Sequence, residues 1–319
     1  MKSQSQRGAA ILTAMLTVVL VATLAASALW QQWRAVEVEA AERGRTQSGW
    51  VLTGALDWAR LILREDARKG GADHLAEPWA VPLEQARLST FLAADRSDTL
   101  AADETQDAFL SGQIIDLQSR LNVTNLIQNG KVDEPSRLAF TRLFDLMNLP
   151  ASELALMIEN LLLVQDTSIA SRSNMALPLA PQELDQLTWL GLSPRSLASL
   201  RPYITLLPVR TPVNLNTAAP EVIYACVDAF EMADASRFVR ARELSHLTTL
   251  SEASKIAGTA GARFTEAEHG VASRFFEVRG ILQVEQTLVQ EQSLVQRNGM
   301  EVKMLARKRG ALAPGAPLQ

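Results

Sequence analysis

The chain has 319 residues, 47% hydrophobic and 21% charged, the balance of a globular protein with one apolar segment added and room for about two domains. Its net charge of −4 gives no basic field of the kind that nucleic acid demands, and the single cysteine, Cys226, excludes an intrachain disulfide and a cysteine-based zinc site. His74, His246 and His269 are far apart and form no HExxH pattern, and there is no Walker loop, GxGxxG or GxSxG, so no recognised catalytic arrangement is present.

Lys2 and Arg7 precede Gly8, and from Ala9 to Trp30 no residue is charged. At ~1.5 Å per residue such a helix is about 33 Å long, enough to cross a hydrocarbon core of about 30 Å. The run is longer than that of a cleaved export signal, and its small residues, Gly8-Ala9-Ala10, stand on the near side rather than the far side. The basic leader predicts that the N-terminus stays inside. Ala10 and Ala14, and Ala22 and Ala26, are small residues four apart, a spacing that allows close helix approach in lipid and that plain membrane-compatible composition also produces. A simple uncleaved signal anchor accounts for the same stretch.

These first thirty residues resemble the leader of the type IV prepilin family. The resemblance implies cleavage by prepilin peptidase between Gly8 and Ala9, with the apolar stretch kept as membrane anchor and packing stem. Most members carry Glu at the fifth mature position, which here is Thr13. A carboxylate inside a membrane is costly unless paired, and in the family it meets the terminal amine of the subunit ahead. A subunit with nothing ahead needs no such Glu. Its lack is typical of the K-type minor pseudopilins of type II secretion, so Thr13 implies the tip of a filament rather than its shaft.

Residues 31–68 continue as helix, with Leu52, Ala55, Leu56, Ala59, Ile62 and Leu63 on one apolar stripe. Gly44, Gly49 and Gly54 each cost about 1 kcal/mol against Ala and suggest a bend. Lys69-Gly70-Gly71 ends the helix, and the stripe predicts packing on a sheet. Ala72 to Asp107 reads as a solvated connection. Ala108 to Gln118, with Phe109, Ile114, Ile115 and Leu117, reads as a strand.

Helix signals follow. They cover Pro135 to Asn148, Ala151 to Val164, Pro181 to Leu190, a short piece ending at Leu200, and Thr248 to Ala257. Pro202 to Pro208 looks extended. Asn216 or Thr217 can cap a helix with Pro220-Glu221 in its first turn. Asn-Leu-Asn-Thr-Ala-Ala-Pro-Glu-Val is similar to the opening of DNA-binding helix-hairpin-helix repeats, which gives an alternative reading as a membrane-anchored DNA-uptake protein. Against it, the following turn is acidic and lacks Gly, and Arg237, Arg240 and Arg242 are flanked by Glu231, Asp234 and Glu243. After Gly258 the pattern alternates, with Asn298-Gly299 as a tight-turn signal, and predicts two or three antiparallel strands. From Gly310 the tail reads as disordered.

Ser111 to Val123 (SGQIIDLQSRLNV), the NLNTAAPEV segment, the leader and the closing hairpin, in this order, resemble the K-type minor pseudopilin family across nearly the whole chain. The resemblance implies an α+β fold, a long N-terminal helix packed on an antiparallel sheet, with a large all-α insertion domain. Its segments would be a leader at 1–8, a stem at 9–30, a pilin-like domain at 31–125 and 271–310, an inserted helical domain at 126–270 and a disordered tail at 311–319. It also implies no enzymatic activity, a single pass of the bacterial inner membrane with a periplasmic body, and a place at the pseudopilus tip. Partners implied are the I and J type minor pseudopilins, prepilin peptidase and the inner-membrane secretion platform, with no nucleic acid. Some relatives bind calcium through a dense acidic segment, but Ile158 to Asp166 offers only Glu159 and Asp166, and calcium wants six to eight oxygens. No cofactor is expected; calcium rests on the resemblance alone, and no ligand is named.

Overall fold

The computed structural model describes residues 6–88, 108–165, 178–258, 262–284 and 287–312. Two compact units are distinguished, Met1–Gly54 and Ala55–Gln319. Helix α1 covers Gln6–Lys69, and Gly44, Gly49 and Gly54 interrupt none of its turns. On its solvated face Arg43 pairs with Glu39 at 2.5 Å and Arg45 with Glu42 at 3.3 Å, pairs that support a helix from outside. In the first unit Ile11, Leu12, Leu16, Val19, Leu24 and Leu29 are all exposed. Among the described residues this is the one helix long and apolar enough to cross a membrane.

In the second unit, α1 ends where the sequence predicts. Gly70 and Gly71 have φ of 67° and 115°, and the Gly70 N–H still reaches Asp66 O at 3.1 Å, a glycine stop of the usual kind. Strands β1 (Leu83–Arg87), β2 (Ala108–Asp116), β3 (Phe275–Val284), β4 (Thr287–Asn298) and β5 (Glu301–Leu312) form one antiparallel sheet in the order β1-β2-β3-β4-β5. Leu56, Ala59 and Leu63 of α1 pack on Phe276, Val278, Val295 and Val302 of the sheet. Trp79 closes this core edge-on to Phe276, ring centres 5.2 Å apart. Arg60 donates to Val302 O at 3.0 and 2.8 Å, tying α1 to the edge strand.

Strand β1 corrects the reading of Ala72 to Asp107 as connection. LEQAR carries no apolar alternation because it lies at the edge with most side chains exposed; residues 89–107 of that stretch lie outside the described residues. β5 corrects the tail: it runs to Leu312, held by β4 through Gln290↔Gly310 and Leu288↔Leu312, so Gly310, Ala311 and Leu312 are strand. Residues 313–319 lie outside the described residues. Asn298 pairs with Glu301, and Gly299 supplies φ 57° between them. Gly112 faces Gly280 in register; a Cβ on Gly112 would lie 2.8 Å from Arg279 O.

Between β2 and β3 the chain is mainly helical: α2 (Glu134–Leu146), α3 (Ala151–Gln165), α4 (Pro194–Leu200), α5 (Pro220–Cys226), α6 (Met232–Leu244) and α7 (Leu250–Ala257). Asp133 caps α2 by accepting Ser136 N–H at 3.2 Å and its hydroxyl at 2.6 Å. Asn148, in the left-handed region at φ 53°, and Pro150 end that layer before α3 begins. The stretch read as helix from Pro181 is a 3-10 turn, Leu184–Leu190, and of Pro202 to Pro208 only Ile204–Thr205 is a strand. This segment has its own apolar core, with Phe140, Leu143, Phe144, Met157, Leu197, Ile223, Phe230 and Phe238 at its centre.

Candidate functional site

Gly8, Ala9 and Thr13 all lie in α1. Gly8 falls in the first turn, where N–H groups have no partner within the helix and opening costs least. Thr13 Oγ1 donates to Ala9 O and Ala10 O, both at 3.0 Å. Its hydroxyl is thus satisfied by its own helix, whereas a Glu there would need a partner from elsewhere.

The other site lies where the sheet meets the helical segment. Asp116, the last residue of β2, is fully buried, and its Oδ2 accepts from Thr217 Oγ1 at 2.6 Å, Ser273 Oγ at 2.6 Å and Asn214 Nδ2 at 3.1 Å. Oδ1 accepts Gln118 N–H at 2.7 Å. Four donors fill most of a carboxylate's acceptor capacity. Burial nevertheless outweighs them and pushes the Asp116 carboxyl up to about 6. Gln118 continues the seam, accepting Arg274 N–H at 2.8 Å and donating to Pro212 O at 3.2 Å. Asn122 donates to Val209 O at 2.8 Å and accepts Leu207 N–H at 3.2 Å. The two motifs IIDLQSRLN and NLNT therefore meet at one carboxylate.

A second cluster adjoins it. Arg297 of β4 donates to Asp66 of α1 at 2.6 Å and Asp73 at 2.5 Å, and stands over the Phe276 ring at 4.9 Å. Burial works against its charge, but Asp73 and Asp66 hold its guanidinium above the ordinary value. Asp73 Oδ2 also accepts Ser273 N–H at 2.6 Å. Glu77 accepts from Trp79 Nε1 at 2.7 Å and His74 N at 2.9 Å, and burial pushes it up to about 7. His74 stacks on His246 at 3.8 Å, and burial, then His246, lowers its pKa.

Asp66, Asp73 and Glu77 are the one group of three carboxylates among the described residues whose oxygens lie within 4.8 Å of one another. They do not fit calcium, since Arg297, the Ser273 N–H, the His74 N–H and Trp79 Nε1 already occupy their oxygens. Glu159 is exposed on α3, and Asp166 lies outside the described residues.

Sequence reasoning missed the roles of Asn216 and Thr217. The cap of α5 is Ala219. Thr217 goes to Asp116, and Asn216 clasps the Leu247 backbone, donating at 2.9 Å and accepting at 2.8 Å. Two short polar side chains before a helix signal a cap and a buried clasp alike. The arginines behind the alternative DNA reading are partly engaged: Arg237 pairs with Asp234 at 2.5 Å, and buried Arg242 donates to Leu215 O and Ala218 O.

Two models of the family described as type II secretion system (T2SS), protein K match residues 119–209 and 213–272, the stretch that holds Asn122, Asn214 and Thr217. The type II secretion system protein K of Pseudomonas aeruginosa is 24% identical over 296 residues, covering 86% of this chain and 84% of that protein. The crystal structure of the GspK-GspI-GspJ complex from enterotoxigenic Escherichia coli contains a chain of the same fold, with TM-score 0.61 and 16% identity over 85% of this chain and 98% of that one. With its apolar stem, five-stranded sheet and helical segment joined through these motifs, the chain is similar to the type II secretion system protein K family in sequence and shares the fold of its solved member.

Proposed function

We propose that this minor pseudopilin starts and caps the tip of the type II secretion pseudopilus, bound there to minor pseudopilins of the I and J types. The observation that carries the tip placement is Thr13, whose hydroxyl is satisfied within its own helix. Nothing at that depth asks for the amine of a subunit ahead. The size of the body supports the same reading, because residues 126–270, taken as an inserted helical domain, would crowd neighbours in a packed shaft and find room at an end. The role is that of a structural component of secretion, with no catalytic step.

Prepilin peptidase cuts between Gly8 and Ala9 in this reading. The exposed apolar stem then anchors in the inner membrane with the body in the periplasm, and the secretion platform receives it there. Intact mass and N-terminal sequencing of the membrane-extracted protein, from cells with and without prepilin peptidase, test this. A start at Ala9 that depends on the peptidase, followed by co-purification with the I and J subunits, is expected. A start at Met1 in both strains would overturn it.

A further inference from the structure

Arg120 lies just beyond β2 and lines a cleft of about 210 Å³ between the sheet and the helical segment. Arg201, Arg307 and Lys308 line the same cleft. Each of these three has an acidic partner: Asp185 for Arg201, Glu291 for Arg307 at 3.2 Å, and Glu183 for Lys308 at 2.8 Å. Glu277, the remaining acid of the wall, pairs with Arg279.

Arg120 differs. Among the described residues, no hydrogen bond or ion pair reaches its guanidinium, although it is partly buried. Burial lowers its pKa; Glu277 pulls the other way, and Arg279 and Arg201 repel it. A desolvated cation without a partner weakens a fold. A guanidinium fork facing a cleft matches an incoming oxyanion in a bidentate way.

We propose that this cleft binds the carboxylate of an acidic side chain carried on a peptide, with Arg120 as the receiving fork. One uncompensated cation balances one charge. The acids on the wall, Glu183, Asp185 and Glu277, disfavour a doubly charged phosphate more than a single carboxylate. Leu117, Leu206 and Leu294 give the carbons of such a side chain an apolar wall. The inference does not depend on the tip placement, since it concerns the body alone.

Calorimetric titration of the detergent-solubilised full chain tests it, with acetyl-Leu-Leu-Glu-amide, its Gln counterpart and inorganic phosphate as probes. The Glu peptide is expected to bind, with the Gln peptide and phosphate at least about tenfold weaker. Arg120→Met should lower the affinity for the Glu peptide at least about tenfold with a melting temperature equal to or above wild type, and Arg120→Lys should restore part of the affinity. No binding of the Glu peptide up to about 10 mM, equal binding by Arg120→Met, or phosphate binding as tightly would overturn the proposal. A lower melting temperature for Arg120→Met would give Arg120 a structural role and overturn it as well.

Discussion

The Thr217 hydroxyl donates to Asp116 Oδ2 at 2.6 Å, joining positions 101 apart in sequence. Ser273 donates to the same oxygen at 2.6 Å. One atom thus fastens the end of β2, the loop before α5 and the approach to β3. Replacing Asp116 with Ala takes the acceptor from two buried hydroxyls, those of Thr217 and Ser273, and one of three acceptors from the Asn214 amide. It should cost about 3–5 kcal/mol in urea unfolding, while Thr217→Val, which removes one donor and leaves the others served, should cost about 1–2 kcal/mol. Equal losses for the two would show that Asp116 is not the hub.

Asp116 also sets a pH dependence. Its carboxyl stands at about 6 in the fold against 3.8 as a model group, so between those values the folded state holds a proton that the unfolded chain has lost. Unfolding free energy then falls as pH rises through that window and is level above it. Two pK units correspond to about 3 kcal/mol at most. Glu77, raised from 4.5 to about 7, adds a fall of the same sign over a window that overlaps this one and extends above it, and His74, lowered, contributes the opposite slope just below 6.5. Urea unfolding of Asp116→Asn across pH 4–6 should show a shallower downward slope than wild type whatever its absolute stability, the remainder coming from Glu77. An unchanged slope would remove Asp116 as its source.

Arg297 joins two carboxylates inside the second unit, so its removal leaves both without their cation. Arg297→Met should destabilise by about 3–5 kcal/mol. Adding Asp66→Asn and Asp73→Asn to that variant should recover part of the loss, because the stranded charges go with them. Thermal melting of the single and triple variants decides this, and a triple variant less stable than the single one would refute it.

Gly112 has no room for a side chain, with Arg279 O at 2.8 Å from where a Cβ would stand. The obstacle is backbone in a paired strand and moves only if the ladder moves. Gly112→Ala should cost about 1–3 kcal/mol, whereas Gly44→Ala, with nothing within 4 Å of its Cβ, should leave stability the same or raise it by up to about 1 kcal/mol. Circular dichroism melts compare the two directly.

Thr13→Val removes only a hydroxyl bonded to its own helix and should leave secretion of exported proteins at the wild-type level. Thr13→Glu puts an unmatched carboxylate in the stem, at a cost of about 2.5–3.5 kcal/mol on insertion scales, and should lower secretion or move the subunit from the tip toward the shaft. Secretion assays with quantitative imaging of tip placement check both, and wild-type behaviour of Thr13→Glu would sink the argument from that position.

The sequence made the long elements legible. Leu56, Ala59 and Leu63 repeat at helical spacing and do meet the sheet; Gly70 and Gly299 fall at the stop and the turn they signal. Edge strand β1 was hidden because an edge needs no apolar alternation. The junction was hidden for another reason. Asp116, Asn214, Thr217 and Ser273 come from three distant stretches, and no local pattern distinguishes a buried clasp from a solvated turn. Both motifs behind the family resemblance were visible as strings, but their common purpose, holding one carboxylate, exists only in three dimensions.

Asp116 and Phe276 are register partners on neighbouring strands, so the helical segment leaves and rejoins the sheet side by side. A segment tethered at two touching points can lengthen, shorten or be exchanged over evolutionary time without changing the register of the strands beneath it. The sheet beneath can then keep its register whatever happens to the helical segment, provided the residues around Asp116 keep their grip.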